Sequence, residues 1–176
     1  MVTVITRTID AGGGGDYTSF TQAEADVSTI GTSADLVAND EAIVFEVVAG
    51  TYDGSITFNS ASPGPALTTD ATRNVTYRAA AGSEHGGSLS SGVIIDGTTT
   101  ANDSFTTLDG LVLRDSVSGT HAVTTGSQGV TYRNCLGENP GSNLVFDASG
   151  GSALYPIVYE NCVGYGTAGV ASQRVW

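Results

Sequence analysis

Six short segments of the chain share one signature, apolar–any–apolar–charged. They are Ile43–Glu46 (IVFE), Val75–Arg78 (VTYR), Val93–Asp96 (VIID), Leu111–Arg114 (LVLR), Val130–Arg133 (VTYR) and Ile157–Glu160 (IVYE). Their starts lie 32, 18, 18, 19 and 27 residues apart. Alternation with a period of two is the pattern of a strand with one face buried. One short strand in every unit of about 20–30 residues restricts the chain to a solenoid, in which each turn buries its apolar face by stacking on the last. The final two copies match over eight positions, VTYRNCLG (Val130–Gly137) and IVYENCVG (Ile157–Gly164).

Strand phase assigns inside and outside. Positions one and three, such as Val75/Tyr77, Val130/Tyr132 and Ile157/Tyr159, face inward, and the tyrosines are expected to stack there. Position four faces out and is charged in every copy: Glu46, Arg78, Asp96, Arg114, Arg133 and Glu160. With stacked coils about 4.8 Å apart, these six are expected to form one surface ladder that sets register. Arg114 would then lie beside Arg133, with Asp115 placed to relieve the repulsion. Asn134 and Asn161 follow the strands at a bend, where inward amides can bond their equivalents above and below; Asp115 is assigned the same slot one coil earlier. Cys135 and Cys162 come next and are expected as small buried thiols in successive coils, free rather than disulfide-bonded. These four residues make up a structural ladder rather than a catalytic one.

The first 40 residues differ in character. Ile5–Asp10 alternates as a strand, and AGGGG ends it. Ser19 and Gln22 have the spacing of a helix capping box, and Phe20, Ala23 and Val27 fall on one helical face. This predicts a short helix across the open end of the stack. The segment from Ile43 to Tyr52 reads as one strand, followed by another within Gly54–Phe58. Residues 59–74 and Glu138–Asn143 read as protruding loops, rich in turn formers. The organisation expected is a single domain over residues 1–176: strand, Gly-rich loop and cap in 1–40, coils in 43–164, and a tail in 165–176. In that tail Val170, Val175 and Trp176 are candidate interface residues, since Trp is enriched where a partner covers it.

Composition bears mainly on partners. The net charge of −12, with six arginines and no lysine, repels phosphates, so nucleic acid is not an expected partner. No run approaches the ~20 apolar residues of a membrane span, and the first residues lack a basic leader followed by an apolar stretch, so no secretory signal is expected. Two cysteines and two histidines do not give a zinc spacing. His85, beside Glu84, and His121 read as polar turn residues. The loop Thr98–Ser104 lacks an EF-hand pattern, and AGGGGD lacks the Gly-Lys-Ser/Thr of a phosphate loop. No metal or cofactor is expected.

The sequence GDYTSF at Gly15–Phe20, a helix, FEVVAGTYDGSITF and VTYRAAAG together resemble the start of right-handed parallel β-helix proteins of the pectin-lyase type, pectinesterases in particular. The resemblance implies an all-β fold, a right-handed parallel β-helix with an N-terminal capping helix. The motifs of that group's enzymes are missing: no Gln is followed by Asp, since Gln22, Gln128 and Gln173 precede Ala, Gly and Arg, and there are no adjacent aspartates and no Gly-His-Gly. Similar openings occur in β-helix proteins of bacteriophage particles. The function expected is therefore non-enzymatic and structural, in a virion assembled in the host cytoplasm, as capsid decoration or part of a tail spike or fibre. The expected partners are a major capsid or tail protein and copies of the chain itself. The alternative is a polysaccharide-binding or polysaccharide-degrading protein, with a host-surface polysaccharide as partner.

Overall fold

The computed structural model describes residues 1–58, 66–116, 122–140, 145–148 and 151–166. The chain opens with β1 (Thr3–Ile9), followed by α1 (Phe20–Ile30) and α2 (Leu36–Asn39). A first round of three strands follows: β2 (Glu41–Val47), β3 (Gly50–Asp53) and β4 (Ile56–Phe58). The next rounds are β5 (Val75–Ala79), β6 (Val93–Asp96), β7 (Thr99–Ala101); then β8 (Thr106–Asp109), β9 (Leu111–Arg114), β10 (Val123–Thr125). The fourth is β11 (Thr131–Arg133), β12 (Leu136–Asn139), β13 (Phe146–Ala148), and the last described strands are β14 (Val158–Glu160) and β15 (Val163–Gly166).

The fold is mostly β, in three sheets that are parallel throughout. One sheet has the order β1-β2-β5-β8-β11-β14, the second β15-β12-β9-β6-β3 and the third β13-β10-β7-β4. From β2 onward the chain visits the three sheets in fixed rotation, one strand in each per round. Parallel strands cannot be joined by a hairpin; β1 reaches its neighbour β2 through α1 and α2, and from β2 onward each return to a sheet passes through the other two.

The rotation corrects the single-column reading of the signature. IVFE, both VTYR segments and IVYE lie in the six-stranded sheet, whereas VIID and LVLR lie in the five-stranded one. Two segments 18 residues apart are therefore not always neighbours one rung apart. The rung between Val75–Arg78 and Val130–Arg133 is Thr106–Asp109 (TTLD), which the signature does not capture. Ile43–Tyr52 is likewise two strands, because the chain turns at Val48-Ala49 from one sheet into the next. Thr99–Ala101 of the expected loop is strand β7, and Glu138 and Asn139 belong to β12.

The inward phase is as the alternation requires. Phe45, Tyr77, Leu108, Tyr132 and Tyr159 stand in register across five rungs. Phe45 and Tyr77 stack with ring centroids 4.6 Å apart, and Tyr132 stacks on Tyr159 at 5.1 Å. Leu108 divides the two aromatic pairs. Alternate residues of all three sheets meet around this column in one core, with Ile95, Leu113, Phe58, Ala101 and Val123 among its fully buried members. A second, small cluster of Ile94, Val112 and Leu136 lies on the outer face of the five-stranded sheet, under Leu89.

Helix α1 starts where the capping signals place it. Ser19 Oγ accepts from the Gln22 amide at 3.2 Å, while the Gln22 side chain reaches back to the Thr18 amide at 2.9 Å, one residue earlier than expected. Phe20, Ala23 and Val27 are buried, and Phe20 packs edge-on to Tyr52 and Phe58. From the same face, the Glu24 carboxylate accepts a hydrogen bond from the Tyr77 hydroxyl. The helix thus covers the end of the core where the first rungs would leave aromatic rings open.

Candidate functional site

A groove of about 480 Å³ runs along the outer face of the six-stranded sheet. Its floor is the outward residue of five successive rungs: Val44, Thr76, Thr107, Thr131 and Val158, in register. Threonine fits this row because it is β-branched and still presents a hydroxyl to water. One wall is formed by Arg78, Asp109 and Arg133, the other by segments leading into the strands, with Asn74, Phe105, Leu154 and Tyr155. Phe105 sits at φ 57°, an unusual setting for a large side chain. It meets Tyr155 edge-to-face at 5.1 Å. Tyr155 remains 39% exposed and Leu154 76% exposed, so this wall offers apolar surface to a ligand.

The charged wall is the register ladder in corrected form. Its rungs are Glu46, Arg78, Asp109, Arg133 and Glu160, and the sign alternates at each step. Arg78 pairs with Glu46. Arg133 lies 2.7 Å from Glu160 on one side and 3.8 Å from Asp109 on the other. Hydrogen bonding to Glu160 holds the Arg133 guanidinium above its ordinary pKa. The expected clash of Arg114 with Arg133 does not arise, because they belong to different sheets. Arg114 instead bonds Asp96 at 2.7 Å on the five-stranded sheet. Partial burial pushes the Asp96 pKa up, but hydrogen bonds from Arg114 and Ser116 outweigh it and leave the carboxyl below its ordinary value. Asp115 is buried and accepts from the Thr98 hydroxyl at 3.3 Å.

Asn134 and Asn161 do stand one above the other. Asn161 Nδ2 donates to Asn134 Oδ1 at 3.3 Å, and Asn134 Nδ2 donates to Asp109 Oδ1 at 2.9 Å. Both side chains are exposed rather than inward. Their role is conformational: φ is 50° and 53°, the left-handed region that Asn tolerates better than most residues. The equivalent residue one rung earlier is Gly110, at φ 75°, not Asp115. The backbone confirms that correspondence, since the Gly110 amide donates to Arg133 O and the Asn134 amide to Glu160 O.

His85 is a tether. The Gly87 amide donates to its Nδ1 at 2.8 Å, and its Nε2 lies 2.7 Å from Asn134 O. An acceptor Nδ1 places the proton on Nε2, so both ring nitrogens are engaged by the backbone. Glu84 turns to the Gly82 amide and not to the imidazole. Cys135 and Cys162 are free and buried. His121 and the candidate interface residues Val170, Val175 and Trp176 lie outside the described residues. Among the described residues no three His, Cys, Asp or Glu side chains converge to hold a metal ion, and no helix is long and apolar enough to cross a membrane.

Sequence reasoning did not find the groove. Phe105 and Tyr155 come from connecting segments outside the repeat; the available signal was an aromatic placed just before a strand in both cases. No protein-family model, no curated protein and no solved structure matches the chain.

Proposed function

We propose that the chain is a right-handed parallel β-helix that serves as a non-enzymatic structural protein of a bacteriophage virion, as capsid decoration or part of a tail spike or fibre. The observation that carries this reading is the ladder Glu46–Arg78–Asp109–Arg133–Glu160. Its charges neutralise one another from rung to rung, which favours one register and a stiff stack, whereas catalysis needs polar groups converging on a reacting atom. The rotation of the chain through three parallel sheets supports the β-helix, and parallel crossovers are right-handed in about 98% of cases. The likeness of residues 15–20 and the segments after them to proteins of phage particles supports the setting. Partners would be a capsid or tail protein and further copies of the chain, assembled in the host cytoplasm. Mass spectrometry of purified particles, quantified against the major capsid protein, tests this. A fixed copy number per particle is expected; particles that contain none of the chain would overturn the reading.

The groove favours a second reading, a polysaccharide-binding or polysaccharide-degrading protein. Sugar rings pack on exposed aromatic faces, here Tyr155, and their hydroxyls suit the threonine row. Titration with host-surface polysaccharide, pectin and alginate separates the two. Binding or turnover abolished by Tyr155→Ala would favour this second reading over a purely structural one.

A further inference from the structure

Cys135 and Cys162 occupy the same bend one rung apart. The Val163 amide donates to Cys135 O at 3.0 Å, the Asn134 amide donates to Glu160 O at 2.8 Å, and the two asparagine side chains just before the cysteines are bonded to each other. Parallel rungs in register lie about 4.8 Å apart, within the Cα separation of about 4.4–6.8 Å that a disulfide spans. Both thiols point the same way. Cys135 Sγ lies 3.4 Å from Leu108 O and 3.2 Å from Arg133 O; Cys162 Sγ makes the equivalent contacts one round later, 3.4 Å from both Tyr132 O and Glu160 O. Exposure is 0% for Cys135 and 4% for Cys162.

We propose that these two residues are an oxidation site: a low-molecular-weight disulfide converts them to an intramolecular disulfide that joins the fourth round to the last described one. Cys162 is the attacking group. It lies on the last described rung and is 4% exposed where Cys135 is 0% exposed, so a small reagent reaches it more readily than its partner. Hydrogen bonding from the Cys135 thiol favours its thiolate, while burial raises the pKa of Cys135. The Cys162 thiolate attacks one sulfur of the reagent, forming a mixed disulfide and releasing one small thiol. Cys135 then gives up its proton and attacks the Cys162 sulfur, and the second small thiol leaves. The protein loses two electrons and two protons, and the reagent gains them as two thiols.

The test is incubation of the folded protein with oxidised glutathione, followed by intact-mass measurement and thiol counting after denaturation. The expected product is about 2 Da lighter, carries no glutathione and no free thiol, and has a higher thermal midpoint. Cys135→Ser should stop at a single glutathione adduct on Cys162, and Cys162→Ser should react far more slowly. Unreactive thiols in the folded wild-type chain would overturn the proposal, as would glutathione adducts that persist on both cysteines or disulfide-linked dimers in place of the lighter monomer.

Discussion

Tyr77 is where the packing account is most exposed to refutation. Its side chain is fully buried, stacked on Phe45 at 4.6 Å, in contact with Phe20 and Phe58, and its hydroxyl donates to the Glu24 carboxylate from the capping helix. Tyr77→Phe keeps the ring and removes only that hydrogen bond to a charged group, a loss of about 1.5–3 kcal/mol. Tyr77→Ala removes the ring as well and leaves a cavity, for a total of about 3–5 kcal/mol or more. In a domain of this length each kcal/mol moves the thermal midpoint by about 2–4 °C, so Tyr77→Phe should melt about 4–8 °C lower, given a loss near 2 kcal/mol. Tyr165→Phe, at a ring 45% exposed, is the control and should stay within about 0.5 kcal/mol of wild type. Urea titration followed by circular dichroism measures all three. A Tyr77→Phe variant as stable as the Tyr165→Phe control would refute the seating of α1 over the core.

Three further outcomes follow from other contacts. Tyr132→Asp places a carboxylate in the apolar column and should cost several kcal/mol, read as a large fall in the urea midpoint; an unchanged midpoint would mean the strand phase is wrong. Asp109→Arg puts three arginines in successive rungs and should cost at most about 1 kcal/mol, the more so at low salt; adding Arg133→Asp should recover part of it in a double-mutant cycle. Burial raises the pKa values of Tyr77, Tyr132 and Tyr159, the last to about 12. Because the folded values exceed the unfolded value of about 10, the contribution of these residues is complete below pH ~10 and is lost as pH rises towards the folded values. Phenolate absorbance of these residues should therefore rise together with loss of the β circular dichroism signal, and full ionisation of all tyrosines in an intact fold would contradict their burial.

Much of the architecture is legible in the residues. Alternation identified the strands at Ile43, Val75, Val93, Leu111, Val130 and Ile157, and Ser19/Gln22 marked the start of the capping helix. Within the six signature segments the third position follows the sheet, aromatic in the six-stranded one (Phe45, Tyr77, Tyr132, Tyr159) and aliphatic in the five-stranded one (Ile95, Leu113), but the rungs outside the signature break that rule: Tyr52 stands in register with Ile95, and Leu108 with Tyr77 and Tyr132. Thr106–Asp109 escaped because only Leu108 is a large apolar residue there; Thr106 is just as buried but shorter. Its neighbours make it a strand, through register rather than local hydrophobicity. The groove was not legible for a related reason. Its aromatic wall joins Phe105 to Tyr155 across rounds, and no periodicity links loop residues that only the stacking brings together.

Strand β5 lies between β2 and β8, so that Arg78 has Glu46 on one side and Asp109 on the other. Nuclear Overhauser contacts in the uniformly labelled protein test it without any substitution. Inter-strand backbone cross-peaks are expected from Thr76–Arg78 to Val44–Glu46 and to Thr107–Asp109. Cross-peaks from Thr76–Arg78 to Ile94–Asp96 instead would place VIID directly on VTYR in a single column and contradict the three-sheet rotation on which the groove, the charge ladder and the proposed function all rest.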